Sequence, residues 1–163
     1  MDLKNLQFMK TFCNTPIGYL EIEENDNYIV SVKLIKELSN DKHVDDNDND
    51  NITLNKAKQQ INEYFLKKRK VFDLPIRFNG TEFQKSVWNS LLNIPYGETK
   101  SYKDIAKDIE NVKACRAVGI ANNKNSIMII VPCHRVIGTN GKLVGYAYGL
   151  DIKKKLLELE MNN

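Results

Sequence analysis

Residues 132–136, Pro-Cys-His-Arg-Val, put a thiol and an imidazole side by side after an apolar run. A thiolate is a strong nucleophile, but a free cysteine titrates at ~8.5 and is mostly unreactive at neutral pH. Something must take its proton, and an imidazole that is itself oriented by a third group is a common solution. Sequence neighbours in extended chain point to opposite faces, so His134 meets Cys133 only through a bridging water or a bent backbone. Cys and His are also frequent packing residues, and at this level both readings stand. Cys115, among Ala114, Ala117 and Val118, is expected to pack in a helical core. The cysteines (Cys13, Cys115, Cys133) and the histidines (His43, His134) show no close ligand spacing, so no metal site and no cofactor are expected.

Elements able to position these groups can be read on both sides. Phe12 to Lys36 alternates like strands, with turn signals at Pro16-Ile17-Gly18 and Asn25-Asp26-Asn27, which predicts a small antiparallel meander. Ala57, Ile61, Tyr64 and Phe65 mark one helix face, and Lys67 to Lys70 are expected to close that helix at the negative end of its dipole. Leu74-Pro75-Ile76 reads as extended. A domain boundary is placed there, giving residues 1–77 and 78–163. Thr81 with Gln84, and Ser101 with Asp104, are capping-box signatures. They open helices carrying Phe83, Val87 and Leu91, and Ile105, Ala106 and Ile109. A third helix is expected from Ala114 to Ala121 after a three-to-four-residue turn, a helix-turn-helix pattern. Ile127 to Val131 is too short and too β-branched for a helix and reads as a buried strand. Asn140-Gly141 predicts a two-residue hairpin between Val136-Ile137 and Leu143-Val144. Asp151 is expected to cap a last helix with Ile152, Leu156 and Leu159 inward.

Composition narrows the class. The chain has 163 residues, 42% of them hydrophobic, enough for a packed core. Its longest aliphatic run, Ile127 to Val131, is far below the ~20 residues of a membrane span. The first residues lack an apolar signal segment, and an odd cysteine count argues for a reducing, cytoplasmic setting. Residues 1–75 carry 11 Lys+Arg against 13 Asp+Glu, and residues 76–163 carry 13 against 8. A net +5 half suits a polyanionic partner. Residues 40–51 are acidic and low in complexity. They fail as a calcium loop, because Asn51 stands where the turn needs Gly and Ala57 where the bidentate Glu belongs, and they read as a mobile loop.

Pro132 to Val136 resembles the active-site motif of the O6-alkylguanine-DNA alkyltransferases, or methylated-DNA–protein-cysteine methyltransferases. Further blocks resemble that family in order and spacing: Gly80-Thr81-Glu82-Phe83-Gln84, Val87-Trp88, Ile94 to Thr99, Ser101-Tyr102, Cys115 to Gly119, Asn125, and Gly145-Tyr146. The likeness is close over residues 57–163. It implies an α+β fold, with a small ribonuclease H-like α/β domain followed by a mainly α domain of helix-turn-helix or winged-helix type.

The resemblance also implies roles. Cys133 would attack the alkyl carbon on guanine O6 of double-stranded DNA. His134 would take its proton through a water, and Glu160 would orient the imidazole. Tyr102 would donate to the departing guanine and help turn the nucleotide out of the duplex. Arg116 would fill the vacated stack, Asn125 would hinge the helices to the active segment, and Val136 would read the base edge through its backbone. Tyr146 and Ala147 would line the pocket, which Ala147 and Tyr148 would narrow against bulky adducts. Ala117 would approach the minor groove, and Lys103, Asn111 and Thr139 would touch phosphates. The implied protein is monomeric and acts once per molecule. A non-enzymatic lesion-binding module, a transcription regulator and a Cys-His hydrolase are the alternative classes, of which the first is the main rival.

Overall fold

The structure, a computed structural model, describes residues 8–38 and 51–162. The acidic stretch, Asn51 excepted, lies outside the described residues. Asn51 itself is a helix cap: its side chain accepts from the Leu54 amide. The chain divides into two compact units that meet between Phe78 and Asn79.

The first unit is a meander with one helix. Strands β1 (Met9–Thr15), β2 (Gly18–Asn25) and β3 (Tyr28–Ile35) pair antiparallel in the order β1-β2-β3. The second turn places Asp26 and Asn27 at positive φ, a conformation their short polar side chains tolerate. Leu20, Ile22, Ile29 and Val32 pack under helix α1 (Ile52–Phe65), whose Leu54, Ala57, Ile61 and Tyr64 are fully buried. Helix α1 stops earlier than the sequence suggested. Lys67 takes φ +60, its amide bonds Tyr64 O at 3.0 Å, and the Lys68 amide bonds Glu63 O at 2.8 Å. These two bonds close a Schellman turn, so the basic residues lie past the helix end rather than in its last turn. Pro75 to Arg77 then runs alongside β3, bonded to both polar groups of Ile29.

The second unit is mainly helical. Helix α2 (Glu82–Leu91) and helix α3 (Tyr102–Asp108) each open on a complete capping box, from Thr81/Gln84 and Ser101/Asp104. Gly80 just before α2 admits no side chain: a Cβ there would lie 2.6 Å from the Trp88 ring. Trp88 is buried and donates its indole N–H to Ala121 O at 2.9 Å, which ties α2 to helix α4 (Cys115–Asn123). The α3–α4 connection spans residues 109–114 and bends at Glu110, φ +58; it is longer than a helix-turn-helix turn of three or four residues.

Three further expectations yield to tertiary context. Ile127 to Val131 is a tight turn rather than a strand. The Ile130 amide bonds Met128 O at 2.8 Å, Ile129 takes φ +71, and the Val131 amide bonds Ile127 O at 3.0 Å. A β-branched residue at positive φ is strained and persists only where its surroundings hold it. The chain turns at Asn140-Gly141, with the Gly141 amide on Gly138 O and the Gly138 amide on Lys142 O, both at 2.9 Å, but Leu143-Val144 does not go on as a strand, so the hairpin is not completed. Strand β5 (Val136–Ile137) pairs instead in parallel with β4 (Lys100–Ser101), and Val144 O is taken by side chains. Finally, Gly149 rather than Asp151 is the N-cap of helix α5 (Leu150–Met161), at φ +96 where a side chain would be strained. The inward face of α5 is Lys153, Leu156, Leu157 and Glu160. No helix among the described residues is long and apolar enough to cross a membrane.

Candidate active site

Cys133 begins a 3-10 turn, Cys133–Arg135, that follows the strained turn at Ile129. Pro132, at φ −82 and ψ 64, centres an inverse γ-turn closed by the Cys133 amide on Val131 O at 2.8 Å. The backbone is therefore bent here, not extended. The parallel β4/β5 ladder sets Lys100 against Val136 and Ser101 against Ile137. It brings the first residue of α3, Tyr102, to the end of the segment that begins at Cys133. Two asparagines brace the segment. Asn122 on α4 donates to Cys133 O at 3.2 Å, while Asn125 donates to Val131 O at 2.9 Å and accepts from the Ile127 amide at 3.0 Å. Asn125 thus satisfies the turn that no strand ladder could satisfy.

The Cys133 thiol is buried, with its Sγ 3.9 Å from the Tyr146 hydroxyl. Burial pushes it above the ordinary thiol value, against hydrogen bonds from Asn125 and Tyr146 and the positive charge of Lys153. Left alone, such a cysteine stays protonated at neutral pH. His134, wholly buried, faces Glu160 of α5 with its Nε2 2.6 Å from Oε2. That bond assigns the proton to Nε2 and leaves Nδ1 as an acceptor; Nδ1 is buried and has no hydrogen-bond partner within the protein. Burial lowers the imidazole below its ordinary value, outweighing the carboxylate beside it. Burial alone would raise Glu160, but the bonds and charges of His134 and Arg135 bring it net below the usual carboxylate range.

Two buried cations complete the cluster, and neither was among the site residues the sequence suggested. Arg135 donates from Nε to Glu160 Oε1 at 2.5 Å and from Nη1 to Ile94 O at 2.7 Å. Lys153 donates to Val144 O at 3.3 Å and Gly145 O at 3.2 Å, beside the rings of Tyr102 and Tyr146. Burial lowers the Lys153 ammonium to about 8, against the pull of Cys133. The available signal was periodicity: Lys153 and Glu160 are in register with Leu156 and Leu157 on one helix face.

The remaining residues singled out from sequence lie around this cluster. Tyr102 donates its hydroxyl to Val144 O at 2.9 Å, and burial, then the neighbouring Cys133 and Cys115, raise its phenol. Val136 and Tyr146 are buried; Ala147 is exposed. Arg116 and Ala117 are exposed on α4, as are Lys103, Asn111 and Thr139 elsewhere on the unit. Cys115 is exposed, not in the core, because α4 turns Val118 and Ala121 inward instead. A groove of about 580 Å³, lined in part by Tyr102, Arg116, Gly119, Ile120, Val144 and Gly145, runs over this face. Among the described residues no cluster of three or more His, Cys, Asp or Glu could hold a metal ion.

Cys133 and His134 thus lie buried in a bent segment braced by Asn125, with His134 bonded to Glu160 of the last helix. The chain belongs to the 6-O-methylguanine DNA methyltransferase family: its ribonuclease-like domain matches residues 8–78 and its DNA-binding domain residues 82–162. A methylated-DNA–protein-cysteine methyltransferase of Methanosarcina acetivorans is 50% identical over 158 residues, 97% of this chain and 85% of that one. The constitutive enzyme of that name from Bacillus subtilis is 47% identical over 159 residues, 92% and 93% of the two chains. The structure of Mycobacterium tuberculosis OGT in complex with DNA is similar at a TM-score of 0.82 and 41% identity, covering 93% of this chain and 92% of that one. The two-domain α+β architecture is that of the family, and its chemistry is DNA repair by alkyl transfer to a protein cysteine.

Proposed function

We propose that Cys133 accepts the alkyl group from O6-alkylguanine in double-stranded DNA, once per molecule, and that His134 and Glu160 activate it. The observation that carries this reading is the His134–Glu160 pair beside a buried, protonated thiol, with the second imidazole nitrogen unpartnered. A water between Cys133 Sγ and His134 Nδ1 relays the thiol proton to the ring. The thiolate attacks the alkyl carbon, an S–C bond forms, and the C–O6 bond breaks with its electron pair passing to the guanine. The proton returns from the imidazolium side to the guanine, so the products are a thioether and an ordinary base. The thioether has no route back to a thiol, which makes the reaction stoichiometric.

An alkylated O6 lies inside the duplex, so the nucleotide must be turned outward to reach a buried thiol. Exposed Arg116 and Ala117 on α4 support an approach to the groove, with Arg116 filling the gap in the stack. Lys103, Asn111 and Thr139 lie exposed for phosphate contacts. Tyr102 already stands in the groove with its donor spent on Val144 O. The guanine takes that donor, and Lys153 still satisfies the carbonyl. Tyr146, Val136 and Ala147 line the base pocket. Three free thiols suit a cytoplasmic, reducing setting, and a site completed within one chain suits a monomer.

Intact mass after mixing with one equivalent of O6-methylguanine duplex tests the reading. One methyl is expected on Cys133 and none on Cys13 or Cys115, and Cys133→Ser should still bind the duplex but gain no mass. Repeated turnover, or a methyl on Cys115, would overturn it.

A further inference from the structure

Arg135 is buried, and its guanidinium joins two elements, helix α5 and the loop after α2. Nε meets the Glu160 carboxylate on α5, Nη1 meets Ile94 O in the loop after α2, and the guanidinium lies 5.8 Å from the centre of the Tyr96 ring. Glu160 accepts from both His134, at Oε2, and Arg135, at Oε1 with a longer bond to Oε2. The Glu160 carboxylate favours a second proton on the ring, and the Arg135 charge opposes it beside the larger effect of burial. An imidazolium has no lone pair at Nδ1 and cannot take a proton from Cys133.

We propose that Arg135 is a positioning residue of the transfer reaction: it shares the Glu160 carboxylate with His134 and anchors it to the Ile94 loop, so that the imidazole stays an acceptor at Nδ1. The proposal rests on the reading of Cys133, His134 and Glu160 given above. The surrounding charges agree in sign. His134 is faced by Glu160, Arg135 and Lys153, and both cations oppose its protonation while Glu160 favours it. Arg135 also pulls Glu160 toward its ionised form, and it counters the rise that burial and Glu160 cause in the Tyr96 phenol. Cys133, the remaining titratable neighbour, is held protonated by burial and adds no charge at neutral pH.

The test is the pH profile of single-turnover methyl transfer, read beside the His134 ring titration by nitrogen NMR. Arg135→Gln keeps polar reach and removes the charge. It should move the acid limb of the profile, and the ring titration with it, upward by about one pH unit, the scale on which a single near charge acts. Arg135→Lys, which restores the charge, should return both toward the parent's position. A folded Gln variant with an unmoved ring titration, or with a uniform loss of rate at every pH, overturns the proposal. Should the Gln variant fail to fold, the parent decides: its ring should be neutral with the proton on Nε2 at pH 6, and an imidazolium there overturns the proposal. Failure of the underlying reading looks different, because the parent would then take no methyl on Cys133 while the ring titration still reports on Arg135.

Discussion

Glu160→Gln changes one oxygen to an amide nitrogen and should separate rate from fold in a characteristic way. The carboxylate accepts on both sides, from His134 at 2.6 Å and from Arg135 at 2.5 Å. An amide accepts at one end only. Arg135 has no acceptor, so the amide oxygen must turn to it and the NH2 to His134. The imidazole must then accept at Nε2 and carry its proton on Nδ1, which is the wrong tautomer for taking a proton from Cys133. Loss of a general base costs ~10²–10⁴ in rate, and transfer at pH 7 should fall by that factor. The same substitution leaves a buried guanidinium without its counter-charge, and breaking a buried pair costs about 3–5 kcal/mol. A solvent-facing Glu→Gln would instead change stability by within about 0.5 kcal/mol. Glu160 is only 2% exposed, so the larger figure applies. Single-turnover transfer from pH 6 to 9 and urea unfolding give the two readouts. The variant should regain rate toward high pH, where the thiol ionises without help. A folded variant within threefold of the parent at pH 7 would refute the tautomer argument, and one as stable as the parent would refute the buried-pair argument.

Arg116→Ala should slow repair of the duplex more than reaction with free O6-methylguanine base, because only the duplex has a gap to fill; equal slowing in the two rate measurements would remove the finger role. Stability should decline as the pH drops below ~6.5, the value of an unfolded imidazole, because the folded ring of His134 is held lower and the unfolded chain binds the extra proton. That slope, up to about 1.4 kcal/mol per pH unit for one group, should show in urea unfolding from pH 7.5 to 5 and flatten in His134→Gln. Glu160 acts in the other direction of shift: its folded value is depressed, so its contribution is full above ~4.3 and lost only as the pH falls through the lower folded value.

Much of this protein is written in local pattern. Strands β1 to β3 follow from alternation and turn residues, and the starts of α2 and α3 from Thr81/Gln84 and Ser101/Asp104, whose partners are three residues apart. The Cys133-His134 pair is visible because it is contiguous, and the family likeness because its blocks keep their spacing. Signals that need a distant partner were not legible. Ile127 to Val131 has strand composition, yet among the described residues no neighbouring strand offers it a ladder; Asn125, bonded across six residues to Val131 O, holds it as a turn. Asn140-Gly141 has hairpin composition, but Val144 O is claimed by Tyr102 and Lys153 from other elements. Local composition can suggest an element, and competition for its backbone groups decides whether it forms. The charges around the thiol follow the same logic. Composition counts Arg135, Lys153 and Glu160 as surface-type residues, and only burial turns them into the groups that set the protonation of Cys133 and His134, because a charge acts strongly only where water no longer screens it.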